Sequence, residues 1–413
     1  MLKIAVFSDL YNGPRFCKAA QSLGYQPFLF VVHADKDCLN YVVIDPTKNA
    51  EELGEIIEAS ISGVPDAVIC CIEQLCVKIA QYATYRKIAI NDIECYKNLR
   101  DKKRMKEKWV SDDVRTARAI YCRNSTEIPY STLTYPIIVK PTLGAASAGV
   151  KICYSKEELE KQINNIFRFN AMSLLNEEKK SGLLLEEYIS GMEYSVDTIW
   201  RDGIPYLDGI MVKGNPEGPL FPDRLYMRSN NIDESTVREL LDISHQAVRS
   251  ASVRSGATHT EIRVKDENGY VIESALRPGA GGCFYGLFDD EDEYLFYKAL
   301  VIASIPYITS EEKETLEKLR NAAQQKNESV SYWYNIGYKG RGVIRNIYGT
   351  DDIRQLEHVD MLQIHKKQGD YLSAECDSFV YFGWIIGKFM NDDFDMNYLK
   401  MQETEKLLRI EYK

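Results

Sequence analysis

Between His259 and Gly282 the chain reads HTEIRVKDENGYVIESALRPGAGG. Two runs of β-forming residues, 260–264 and 270–274, flank the polar segment Asp266-Glu267-Asn268-Gly269, which predicts a hairpin. Side chains alternate faces along a strand, so Glu261 shares a face with His259 and Arg263, and Glu273 shares a face with Val271. An odd number of residues in the connection puts Glu261 and Glu273 on one face, with Cβ atoms roughly 4.5–8 Å apart. Two carboxylates so placed repel, and a hard divalent cation between them removes the penalty; Mg²⁺ is commonly held by one or two carboxylates plus substrate phosphates. Arg277, followed by Pro278-Gly279-Ala280-Gly281-Gly282, adds a fixed positive charge at the same end. Taken alone, a surface hairpin with two solvated glutamates is the simpler account, so the rest of the chain has to decide.

The chain has 413 residues, enough for two or three domains with separate cores. Hydrophobic residues at 45% and charged residues at 27% are those of a globular protein. A formal charge of −10 argues against sequence-independent nucleic-acid binding, which needs a basic surface. The ten cysteines form no C-x-x-C pair and several lie in apolar runs, which favours buried reduced thiols over disulfides or a zinc site. The start, MLKIAVFSDLYNG, carries too short an apolar run for a signal peptide, and no membrane span is expected, so the expected location is the cytoplasm.

Residues 1–95 alternate short apolar strands (4–7, 27–32, 67–71, 87–90) with helical spacing at Leu53, Ile56, Ile57 and at Ile72, Leu75, Cys76, Ile79, Ala80. That alternation predicts an open, mostly parallel α/β sheet. The first strand is not followed by G-x-G-x-x-G, so a dinucleotide site is not expected there. Residues 101–109 form a highly charged helix, and 136–140 a strand ending in Lys140-Pro141. A small-residue turn, Gly144 to Gly149 with Ser147 inside it, leads into a strand over 150–154; its backbone N–H groups could approach an anion closely. Strands are predicted over 183–189, 193–200 and 204–212, and a helix begins at Asp233 or Ser235. In Leu185-Glu186-Glu187-Tyr188-Ile189-Ser190-Gly191-Met192-Glu193, acids interrupt an apolar strand, which costs stability unless they meet a partner. Residues 310–328 read as helix or linker, and strands at 342–347, 380–386 and 408–412 suggest a small strand-rich lobe.

The order DK, then VKP with a small-residue loop ending in GV, then EEYISGMEYSVD, then HTE…VIESALRPG resembles the ATP-grasp superfamily, over roughly residues 101–282. The resemblance implies an α/β fold with an amino-terminal open parallel α/β domain (1–95), an ATP-grasp domain (96–308) and a strand-rich carboxy-terminal lobe (309–413). It implies that Lys102 and Lys140 contact ATP phosphates, with Gly144, Ser147 and Gly149 in the loop over them. Glu186, Glu187 and Ile189 would form the hinge that reads adenine, largely through backbone groups, and Glu193 would take the ribose hydroxyls. Glu261 and Glu273 would hold Mg²⁺ (or Mn²⁺), and Arg277 would act with the two lysines on the transferred phosphoryl group. Two departures stand out. Ala275 occupies the position where the family usually has the Asn of E-x-N, and the loop GAASAG is poorer in glycine than in many relatives.

Within the superfamily the whole chain looks most similar to L-amino-acid ligases, which join two amino acids with release of ADP and phosphate. Its likeness to an arginine-selective member of antibiotic biosynthesis implies arginine as a candidate first substrate, with Glu375 or Asp377 as candidate partners of the guanidinium. Relatives imply a homodimer, with Trp333, Tyr332 and Tyr334 serving an interface or a core. Two alternatives stand beside this reading: another ATP-grasp ligase or carboxylase acting on a non-peptide acid, and a non-catalytic ATP-binding regulator, which Ala275 favours.

Overall fold

The computed structural model describes residues 1–33, 41–144, 147–288, 294–322, 329–337, 340–372 and 381–413. The amino-terminal strands form a parallel sheet in the order Val42–Val43, Gln26–Val31, Lys3–Phe7, Ala67–Cys70. In the strand Lys3–Phe7, Ile4, Ala5, Val6 and Phe7 are all fully buried, because helices cover both faces of a parallel sheet. Ile4 and Val6 pack with Phe16 and Ile69 on one side, while Ala5 and Phe7 pack with Leu53, Ile57 and Leu75 on the other. Asn49 starts the helix Ala50–Ile61 with a reciprocal capping box to Glu52.

The strand expected over 87–90 does not form. The helix Cys76–Tyr85 ends there instead: Lys87 takes a left-handed conformation (φ 60°), and the Ile88 N–H donates back to the Ala83 carbonyl at 2.9 Å. The apolar residues 88–90 therefore follow a helix cap of the kind that satisfies orphan carbonyls. Their apolarity serves packing without a ladder.

Two larger antiparallel sheets follow, with a third, small one made of Tyr371–Leu372, Gly342–Tyr348 and Arg409–Tyr412. One has the order Ala119–Cys122, Leu183–Glu187, Ile137–Pro141, Lys151–Cys153 and is covered by the helix Lys156–Met172, whose Leu159, Ile163 and Ile166 are buried. The other has eight strands, in the order Asn268–Ala275, Gly256–Lys265, Met192–Arg201, Ile204–Gly214, Leu225–Arg228, Val330–Ile336, Gly383–Phe389, Val359–Ile364. The last three come from the carboxy-terminal segment, so the sheet that carries the hairpin runs directly into it. Tyr332 and Tyr334 are fully buried and Trp333 nearly so, which places all three in a core.

The hairpin reaches its register by a different route from the one expected. Lys265 pairs with Asn268, leaving a two-residue turn, Asp266-Glu267, with both φ values positive (49° and 62°). An even turn of this length would set Ile272 opposite Glu261 and turn Glu273 to the other face. A bulge between Glu261 and Ile262 shifts the register, and Glu261 pairs directly with Glu273. On this face the neighbouring strand sets Asp197, Ser195 and Glu193 beside His259, Glu261 and Arg263. The opposite face is apolar: Ile262, Val271 and Val196 pack with Leu240, Ile243 and Trp109.

The link into the strand Met192–Arg201 depends on Gly191. Its φ is 112°, and a Cβ there would lie 2.0 Å from the Val264 carbonyl oxygen. Gly191→Ala is expected to destabilise the fold by about 2 kcal/mol or more, read as a lower urea midpoint at unchanged m-value; an unchanged midpoint would show that this approach relaxes freely.

Candidate active site

A cavity of about 470 Å³ lies between the two larger antiparallel sheets and the loop after the strand Ala67–Cys70. The carboxyl ends of parallel strands commonly face ligand sites, and Glu73 and Gln74 enter the cavity from such an end. Lys102, Lys140, Gly144, Ser147, Glu186, Glu187, Ile189, Glu193, Glu261, Glu273 and Arg277 all line it. Among the residues expected at a site, Gly149 sits just outside the lining; its carbonyl accepts from Gln162 Nε2 at 3.0 Å. Ala145 and Ala146 of the small-residue turn lie outside the described residues, as do Glu375 and Asp377.

Three groups of charge organise the cavity. At one end Glu186 receives two ammonium groups. Lys140 Nζ lies 2.8 Å from Oε2 and Lys106 Nζ lies 3.2 Å from Oε1, with all three side chains at most 5% exposed. Burial pushes the Glu186 pKa up, and the two lysines outweigh it, holding the carboxyl below its usual range. Burial also lowers Lys106, to about 8, against the pull of Glu186. Glu187 turns its side chain to Arg118, 2.8 Å from Nη2, while the Ile189 carbonyl accepts from Arg263 Nη1 at 3.1 Å.

In the middle, Lys213 Nζ lies 2.5 Å from Glu193, 2.7 Å from Glu261 and 2.9 Å from Asp223. These three carboxylates offer oxygens within 4.8 Å of one another, but the Lys213 ammonium already bridges them. Burial disfavours the Lys213 charge, yet Asp223, Glu193 and Glu261 raise its pKa well above the ordinary value. Arg263 Nε adds a second cation to Glu193 at 2.7 Å.

At the hairpin, Lys102 Nζ lies 2.8 Å from Glu273 and 3.4 Å from the Gly144 carbonyl. Glu261 and Glu273, opposite each other on one face, are hard oxygen donors suited to Mg²⁺, and each now holds a lysine that phosphate oxygens can equally accept from. Arg277 pairs with Glu73, which also lies 3.7 Å from Arg100 Nε; Arg100 in turn donates to the Gly144 carbonyl at 2.9 Å. Burial raises the Glu73 pKa, and the two arginines outweigh it.

Sequence reasoning missed Lys106, Lys213, Asp223 and Glu73. Lys106 follows Lys102 by one helical turn, the spacing that puts two side chains on one face. Lys213 ends an apolar strand as Lys140 does, a signal of the same kind that lies one residue past the predicted strand. Asp223 and Glu73 sit in loops and carry no such pattern.

Residues 133–285 match the family model of the ATP-grasp domain. Over that stretch the chain has an ATP-grasp-like fold. The surrounding architecture is ATP-grasp-like as well, with the parallel α/β sheet before the domain and the strand-rich sheet after it. The structure is similar to that of an L-amino acid ligase from Bacillus licheniformis, with TM-score 0.81 and 20% identity over 100% of this chain and 99% of that one. It is also similar to the biotin carboxylase domain of the Hydrogenobacter thermophilus 2-oxoglutarate carboxylase, solved with MgADP and bicarbonate, with TM-score 0.68 and 15% identity over 100% and 91% of the two chains. Among curated relatives, the large chain of carbamoyl phosphate synthase from Archaeoglobus fulgidus is 23% identical over 65% of this chain and 26% of its own length. Alanine–anticapsin ligase from Bacillus subtilis is 23% identical over 58% of this chain and 54% of its own. The matches thus span a quarter to about half of these two relatives. At these identities the structural likeness shows the fold alone, and no helix among the described residues is long and apolar enough to cross a membrane.

His259, beside Glu261, shows how strongly the site is charged. Its Nδ1 lies 2.9 Å from Asp197 Oδ2, whose other oxygen accepts from the Gly279 N–H at 2.7 Å. Burial lowers the His259 pKa, but Asp197 and Glu261 outweigh it and raise it from 6.5 to about 9. A folded pKa above the unfolded one stabilises fully below the unfolded value and is lost as pH rises through the folded value. Stability is therefore expected to fall between about pH 6.5 and 9 by roughly 3 kcal/mol. Urea denaturation at a series of pH values checks this, and His259→Gln should flatten the slope in that window.

Proposed function

We propose that the protein is an ATP-dependent, ADP-forming carboxylate–amine ligase that joins two L-amino acids into a dipeptide. The observation that carries this reading is the coverage of the whole chain by the L-amino acid ligase structure, together with one cavity lined by the lysines, glutamates and arginine of the motif. ATP is the phosphoryl donor. Glu261 and Glu273 would hold Mg²⁺ (or Mn²⁺), which would supply neutralisation of phosphate charge.

In this mechanism Lys102 and Lys140 exchange their carboxylate partners for phosphate oxygens, and Lys213 is placed to do the same. The hinge at Glu187 and Ile189 takes the base, and Glu193 takes the ribose. Arg277 releases Glu73 and holds the substrate carboxylate as it accepts the γ-phosphoryl group. The amine of the second amino acid then attacks the acyl carbon, forming the amide and expelling phosphate. Phosphoryl transfer of this kind needs positioning and charge neutralisation more than covalent help, and preorganised donors are most effective in a water-poor site. L-Arginine is the first substrate to test, the assembly we propose is a homodimer, and the compartment is the cytoplasm.

A second reading has an observation of its own. The likeness to a biotin carboxylase domain supports a carboxylase or another ligase acting on a non-peptide acid. Ala275, opposite His259 in the hairpin, would suit a non-catalytic ATP-binding protein, since it offers no metal ligand.

ADP release with Mg-ATP and pools of L-amino acids separates these readings. Amino-acid-dependent turnover with dipeptide masses is expected; turnover only with bicarbonate or a non-peptide acid would favour the second reading, and ATP binding without turnover the regulator. Glu273→Gln is expected to lower turnover by at least about 100-fold with the far-UV spectrum and urea midpoint retained. Near-normal activity in that variant would overturn its assignment to the metal.

A further inference from the structure

We propose that Lys106 is a positioning residue for the nucleotide base: it keeps the Glu186 side chain in the cavity as an ionised hydrogen-bond acceptor, so that the site selects a purine with an exocyclic amine over one with a carbonyl. The inference rests on the ATP-site reading above and assigns a function to a residue that reading does not use.

Lys106 is 4% exposed, one helical turn beyond Lys102. A buried ammonium in that position is costly unless its partners are fixed, and here both are. Its Nζ donates to Thr116 Oγ1 at 2.5 Å and lies 3.2 Å from Glu186 Oε1. The Thr116 hydroxyl is itself committed as a donor to the Val271 carbonyl at 2.6 Å, so it can only accept from Lys106. The lysine is thereby aimed from the hairpin strand at the carboxylate.

Glu186 has two cations, but they are not equivalent. Lys140 is the one the nucleotide phosphates recruit under the proposed function, and its departure would leave a buried carboxylate alone. Lys106, held by its bond to Thr116, stays. Glu186 Oε1 has no hydrogen-bond partner of regular geometry, although it is buried. The cavity that Glu186 lines also presents Ala117, Ile138, Val150, Ile189, Phe221 and Ile272, apolar surface suited to a flat ring. An ionised carboxylate only accepts hydrogen bonds. It therefore suits the 6-amino group of adenine and repels the 6-carbonyl of guanine, which is itself an acceptor.

The test is direct binding of ATP and GTP, each with Mg²⁺, to the full-length protein and its variants by isothermal titration calorimetry. Lys106→Met keeps the length of the side chain and removes the charge. It is expected to raise the Kd for ATP about tenfold and leave the Kd for GTP within about twofold, so that the selectivity ratio falls about tenfold. Lys106→Arg, which keeps the cation, is expected to restore the ratio to within about threefold. Equal weakening of both nucleotides, or no change in either, would overturn the inference, because a purely structural lysine does not distinguish bases. Should Lys106→Met fail to fold, Glu186→Gln decides: its amide can donate as well as accept, so the ratio should fall toward parity, and an unchanged ratio would sink the proposal. Wild-type protein that binds neither nucleotide would overturn the ATP-site reading itself, a result distinct from either failure above.

Discussion

The cavity depends on one constraint: each of the acids described in it has been given a cation. Glu186 is held by Lys106 and Lys140; Lys213 ties together Glu193, Asp223 and Glu261; Glu273 has Lys102; and Glu73 has Arg277. Removing ions from water costs several kcal/mol each unless geometry and further hydrogen bonds compensate. The pairs are shared between elements far apart in the chain, so folding and charge compensation are one event. The same arrangement supplies what polyanion binding requires, namely ammonium and guanidinium groups already desolvated, oriented and bonded to oxygens that another anion can replace.

The scaffold serves this by bringing the cations from different layers. The short sheet contributes Lys140 and Glu186 on adjacent strands, and the helix Lys102–Ser111 before it contributes Lys102 and Lys106. The eight-stranded sheet supplies Lys213 and the glutamates. The loop after the last strand of the amino-terminal parallel sheet reaches in with Glu73. At the far end Asn335 Nδ2 donates to the Asp223 carbonyl at 2.7 Å, and the Asp223 N–H donates to Tyr381 Oη at 2.7 Å, so the carboxy-terminal segment shapes the cavity too.

Much of this was legible in the sequence, because the signals were local. Apolar runs located most strands, Asp233 capped the helix expected to begin there, and the order of lysines, loop, hinge and paired glutamates survived as spacing. What escaped depends on partners supplied by the tertiary fold. Lys106 lies in a helix so rich in charge that each lysine looks solvated, and only the buried Glu186 on another sheet makes it special. Residues 88–90 have the composition of a strand but meet a helix cap with no strand to pair. The hairpin register was foreseen for the wrong reason, since the turn is even and the extra residue sits in the strand. The continuity of the carboxy-terminal strands with the central sheet has no sequence signature, because strand neighbours distant in the chain are chosen by packing.

That extra residue limits how this hairpin can vary in evolution. With a two-residue turn and one bulge, the spacing between Glu261 and Glu273 keeps both acids on the cavity face. Loss or gain of a single residue between them would rotate Glu273 into the apolar layer of Ile262, Val271 and Leu240. Single-residue length changes are therefore excluded unless two occur together, one in the turn and one at the bulge. Relatives that keep the paired acids should differ in this segment by even steps, or by trading a bulge for a longer turn. Alignment across it should follow parity and not the nearest similar letter.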